Sequence, residues 1–92
     1  MTTDELMQRY KVEMKVKLPK IYSHELLNNL FKYPYTKIEF VLKDLQVHRN
    51  TAQKYLDSLV EQNLLSKHKL GNENYYLNDA LCHLLANVNQ RN

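Results

Sequence analysis

The chain has 92 residues, one glycine and one cysteine, enough for a single domain with one core and no internal disulfide. Its 13 basic and 10 acidic residues leave a net charge of +3, which permits an anionic partner without the charge density of a polybasic binder. The lone Gly71 excludes P-loops and Rossmann turns, no apolar run approaches the ~20 residues of a membrane span, and no export signal opens the sequence. A helix-rich cytoplasmic protein is expected, with no membrane association, no cofactor and no small-molecule substrate.

In chain order, Thr2 and Glu5 form a capping-box pair, and Leu6, Tyr10 and Met14 follow at four-residue steps. The spacing predicts a helix over 3–17, ended by Pro19. Its narrow stripe, with Met7 added, has no obvious cover within the chain. Residues 1–17 are therefore read as an appendage that packs on a second copy or on another domain.

Ser23 caps a second helix with Leu26, Leu27, Leu30 and Phe31 inward and Ile21 and Tyr22 packed before it. Tyr33-Pro34-Tyr35 breaks that helix. Thr36 and Glu39 have capping-box spacing and open a short third helix through Ile38, Val41, Leu42 and Leu45. Gln46 and Val47 leave room only for a tight turn. A fourth helix follows over 49–62, with Ala52, Tyr55, Leu56, Leu59 and Val60 on its inner face.

The pattern then changes period. Residues 65–70 and 75–77 read as two short strands around a polar turn at 71–74. Asn78 caps a last helix with Leu81, Leu84, Leu85 and Val88 inward, and 89–92 form a frayed tail. The order is mainly α with a β-hairpin: a winged helix-turn-helix over 18–88 preceded by an extra helix.

In that arrangement the fourth helix presents its first turns to the major groove. Arg49, Asn50, Gln53, Lys54 and Asp57 face outward, with Thr51 at the rim. Arg matches guanine, Asn and Gln match adenine, and Thr or Lys holds phosphate. An ordinary solvated helix face is the other reading, since Asp57 and Glu61 offset Arg49 and Lys54. On the hairpin, Lys67, His68 and Lys69, with Asn72 and Asn74 at the tip, suit the nucleic-acid backbone or a minor groove. Equally, such lysines protect an exposed strand edge from pairing with other chains. Alternation places Lys67 and Lys69 on one face and His68 on the other.

No catalytic or metal site is expected. The four histidines lie far apart and share no ligand spacing with Cys82, whose apolar helix predicts a buried, inert thiol. The seven tyrosines read as packing residues.

Three stretches together carry a resemblance: Leu18-Pro19-Lys20-Ile21-Tyr22-Ser23, then Leu30-Phe31-x-x-Pro34-Tyr35-Thr36, then Arg49-Asn50-Thr51-Ala52-x-x-Tyr55-Leu56-x-x-Leu59. In this order they resemble the C-terminal region of Fic-family proteins, over about residues 18–85. The first two are the more specific; the third is shared with many winged helices. The resemblance implies a winged-helix domain of the kind that follows the catalytic Fic domain in larger members. Fic enzymes transfer AMP from ATP to a hydroxyl through a His-Pro-Phe-x-x-Gly-Asn-Gly-Arg loop, and no such loop occurs in this sequence. The expected role is a non-catalytic regulatory module that binds double-stranded DNA and regulates transcription. The alternative is a protein-interaction or homodimerisation module, with a Fic catalytic domain as one partner. Where such winged helices often carry Ser at the recognition-helix cap, this chain has His48.

Overall fold

The computed structural model describes residues 2–90, with side chains through residue 86. Five helices and a small sheet follow one another: α1 (Thr3–Lys17), α2 (His24–Lys32), β1 (Tyr35–Thr36), α3 (Ile38–Leu45), α4 (Arg49–Glu61), β2 (Ser66–Leu70), β3 (Glu73–Leu77) and α5 (Asp79–Gln90). The helices pack around one core, and β2 and β3 form a hairpin beside α4. This is a winged helix-turn-helix carrying an additional first helix.

Local chemistry accounts for most boundaries. The Thr2 hydroxyl accepts the Glu5 N–H at 3.2 Å, while the Glu5 carboxylate accepts the Thr2 N–H at 3.0 Å, completing the capping box of α1. That backbone N–H is the largest cause holding the Glu5 carboxyl below its ordinary range. The Ser23 hydroxyl accepts the Leu26 N–H at 3.1 Å and starts α2. Gln46 ends α3 with φ +55°, the left-handed conformation that turns the chain into α4. His48 stands at the head of α4 without a side-chain capping bond, so no cap side chain meets the free N–H groups of its first turn. In the hairpin Leu70 pairs with Glu73, leaving a two-residue turn in which Gly71 adopts φ +62°.

The turn is thus shorter than expected, because Glu73 and Asn74 belong to β3. A third strand, β1, also appears beside β3, pairing Tyr35 with Leu77 and Thr36 with Tyr76. This displaces the capping box expected at Thr36. The Thr36 hydroxyl instead donates to Asn29 Oδ1 at 2.8 Å inside the protein, and Lys37 occupies the head of α3 without a side-chain cap. A two-residue strand is too short to show alternation, so the spacing to Glu39 suggested a cap where the chain makes a sheet edge.

The stripe on α1 is covered by the chain itself. Leu6, Tyr10 and Met14 are buried in the same core as Leu26, Leu30, Leu56, Leu59 and Tyr76, with α1 packed on α2 and α5. Each fully buried leucine of this kind contributes about 1.5–3 kcal/mol, so docking α1 on its own domain outweighs leaving the stripe open. Tyr10 also meets Phe31 edge-on at 5.1 Å between ring centres.

On α5, Leu81 is buried and Leu84 packs against the core, but Leu85 is 40% exposed rather than inward. The helix runs to Gln90, into the tail expected at 89–92. The side chain of Val88 and residues 91–92 lie outside the described residues.

Candidate nucleic-acid interface

The face of α4 opposite the core carries Arg49, Asn50, Lys54 and Asp57, all exposed, with Thr51 and Gln53 half-buried at its margin. This follows from Ala52, Leu56 and Leu59 being buried, which fixes the rotation of the helix. The wing meets α4 along one edge. Gln53 Nε2 donates to the Tyr76 hydroxyl at 3.0 Å, and Tyr76 itself is fully buried.

That hydrogen bond decides which wing residues share a surface with α4. Residues directly opposite on antiparallel strands lie on the same sheet face. Lys67 is opposite Tyr76, and Lys69 is opposite Asn74. Both lysines therefore lie on the α4 side, and Lys67 Nζ sits 6.0 Å over the Tyr76 ring. His68 takes the other face, as alternation requires, opposite Tyr75. Asn72, at the hairpin tip, lines a small cleft with Arg49, Lys37, Glu39, Glu73 and Asn74. The wing thus packs on the Gln53 margin of α4, with Lys67 and Lys69 on the sheet face turned to that helix and Asn72 in the cleft beside Arg49.

Their chemistry is not uniform. Arg49 Nη2 lies 3.2 Å from Glu39 Oε2, and Lys37 Nζ lies 3.0 Å from Glu73 Oε2. The Glu39 carboxyl is held low by its own backbone N–H and then by the Arg49 guanidinium. Lys37, followed by the Tyr75 hydroxyl, holds the Glu73 carboxyl low, and the same bond raises the Lys37 ammonium. Among the described residues, Lys54, Lys67 and Lys69 are in no ion pair.

Gln53 is more constrained than its position in the sequence suggests. Its amide nitrogen has two protons, and both are used: one bonds Tyr76, the other Asp57 Oδ1 at 3.0 Å. Bidentate adenine readout needs a free N–H as well as the carbonyl oxygen. Gln53 in this arrangement offers only its Oε1 as an acceptor. Asn50, exposed one turn earlier, keeps both halves of its amide free of partners among the described residues.

Three polar residues around the interface were not legible as such. Lys37, Glu39 and Glu73 reach it only because α3 and β3 converge on the start of α4. Asn74, expected at the hairpin tip, lies in β3 opposite Lys69 and so on the lysine face.

No three His, Cys, Asp or Glu side chains converge in metal-binding geometry among the described residues. The Cys82 thiol, pushed up chiefly by burial, points at the Pro34 carbonyl 3.8 Å away. Among the described residues, no helix is long and apolar enough to cross a membrane.

The order of α2, α3 and α4, the left-handed turn at Gln46 and the hairpin packed beside α4 define a winged helix-turn-helix domain. The family of C-terminal domains of SoFic-like protein adenylyltransferases matches residues 6–81, and the chain belongs to that family. The matched region includes most of α1, consistent with its burial in the common core.

Proposed function

We propose that this domain binds double-stranded DNA through α4 and the wing, as a regulatory module of a Fic-type protein and without catalysis of its own. The observation that carries this reading is the shared surface of Asn50 and Lys54 on α4 with Lys67 and Lys69 on the wing. Its three lysines have no ion-pair partner among the described residues. Asn50 would supply base readout, Lys54, Lys67, Lys69 and Thr51 backbone contacts, and Asn72 a contact at the wing tip. Arg49 joins them once it leaves Glu39.

Fluorescence anisotropy of a labelled mixed-sequence duplex across a salt series tests it. Affinity should fall with salt with a slope of about −0.9 per neutralised phosphate. Absence of binding at about 50 mM salt would remove the reading.

A protein-interaction or homodimerisation module is the second reading, favoured by the opposite sheet face. There Tyr35, Leu70, Tyr75 and Leu77 line a groove of about 640 Å³, and Leu70 is 69% exposed. Sedimentation of the chain and of Leu70→Asp tests self-association. A monomer at every concentration would remove the homodimer version.

A further inference from the structure

The junction of the wing tip and the start of α4 holds two cations and two carboxylates in closed pairs. Arg49 on α4 bonds Glu39 on α3, while Lys37, just before α3, bonds Glu73 on β3. The four side chains line one cleft of about 90 Å³. Both carboxylates are 53% exposed, and Arg49 is 63% exposed. The Arg49–Glu39 pair is exposed at both ends and contributes little to stability, whereas Lys37 is only 18% exposed. Each does, however, neutralise a cation in the cleft beside the start of α4, Arg49 from the helix itself and Lys37 from the sheet face of Tyr75, 5.2 Å from that ring.

We propose that Glu39 and Glu73 act as internal competitors that hold down affinity for nucleic acid. Duplex binding then proceeds by exchange, the backbone phosphate replacing the Glu39 carboxylate at Arg49 and the Glu73 carboxylate at Lys37. The proposal rests on the nucleic-acid reading and adds an autoinhibitory contact to it. A phosphate presents the same paired acceptor oxygens to a guanidinium as a carboxylate does, so Arg49 exchanges one for the other without loss of geometry. The released carboxylate is left near the phosphate chain, and that like-charge contact opposes binding.

The test is a set of variants of the full chain, measured by anisotropy on a labelled mixed-sequence duplex. Glu39→Gln and Glu73→Gln should each tighten binding about two- to fivefold, and the double variant should multiply the gains. The gains should shrink at high salt, where exposed charges are screened. A thermal midpoint close to that of the unmodified chain should accompany each.

Removing any negative charge favours DNA, so the deciding comparison repeats Glu39→Gln in an Arg49→Ala background. The proposal expects a smaller gain there, because no guanidinium remains to be released. An equal gain in both backgrounds overturns it, as does binding by the unmodified chain that the two glutamines leave unchanged. In those cases the DNA reading survives. If neither the unmodified chain nor the double variant binds at about 50 mM salt, both readings fall together. Binding acquired only by the double variant supports internal competition but removes DNA binding as the role of the unmodified domain.

Discussion

Tyr10 in α1 and Asn78 at the head of α5 lie 68 residues apart in sequence and share a 2.8 Å hydrogen bond in the core. The phenol proton is shared with the Leu64 carbonyl, 2.7 Å away. Asn78 Oδ1 also accepts the Leu81 N–H, capping α5, while Nδ2 donates to the Leu30 carbonyl at 3.1 Å. The Asn78 amide therefore ties together α1, α2 and α5, and the Tyr10 hydroxyl adds the segment after α4. Such satisfied buried networks hold elements in one arrangement, because every partial alternative strands a polar group.

This network makes the fold sensitive to alkali. Burial first, and then the charge of Asp79, push the Tyr10 hydroxyl up from 10.0 to about 12. The neutral phenol is favoured in the folded state, so its stabilisation is complete below pH 10 and is lost as the pH rises from 10 to about 12. The loss amounts to about 2–3 kcal/mol. Tyr10→Phe should cost about 1–2 kcal/mol at neutral pH, from the missing hydrogen bonds, and flatten this alkaline limb. Urea melts of both proteins between neutral pH and strong alkali would show it, and parallel limbs would contradict it.

Thr36 lies under the sheet edge rather than on a helix cap. Its hydroxyl donates to Asn29 Oδ1, and Asn29 Nδ2 donates to Asp44 Oδ2 at 2.7 Å. Thr36→Val keeps the shape and leaves the Asn29 oxygen without a donor. It should cost about 1–3 kcal/mol, the penalty for an unsatisfied buried acceptor. Thr36→Ser, which retains the hydroxyl, should recover most of that in the same denaturant melt. A larger loss for Ser than for Val would show that the methyl, not the hydroxyl, matters.

Gln53 joins the recognition helix to the wing. Gln53→Ala should leave the Tyr76 hydroxyl without this partner and destabilise the domain by about 1 kcal/mol. Amide hydrogen exchange should rise in β2 and β3 more than in α2, since the hairpin depends on packing against helices to persist. Uniform loss of protection would argue against a seam at this position.

The wing lysines should act on affinity without reading sequence. Lys67→Ala with Lys69→Ala should lower duplex affinity across all sequences and reduce the salt slope by about 0.9 for each phosphate no longer neutralised. Asn50→Ala should instead relax discrimination at one base pair, by about 1–3 kcal/mol. Competition binding with single-base variants of a selected duplex separates the two behaviours.

Helix, turn and hairpin order could be read from the sequence because each depends on neighbours a few residues apart. Thr2 with Glu5, Ser23 with Leu26, and the four-residue steps of Leu6, Tyr10 and Met14 involve the chain's own backbone and nothing distant. The outward face of α4 followed from its buried Ala52, Leu56 and Leu59 in the same way. Tertiary structure alone decided that α1 folds onto its own domain, that Thr36 joins a sheet, and that Gln53 is committed to Tyr76. It also decided that Arg49 and Lys37 meet Glu39 and Glu73. In these cases partners come from different elements, or the choice is between two local options of similar spacing. Periodicity gives the face a residue takes, but the group it meets there is set by how the elements pack.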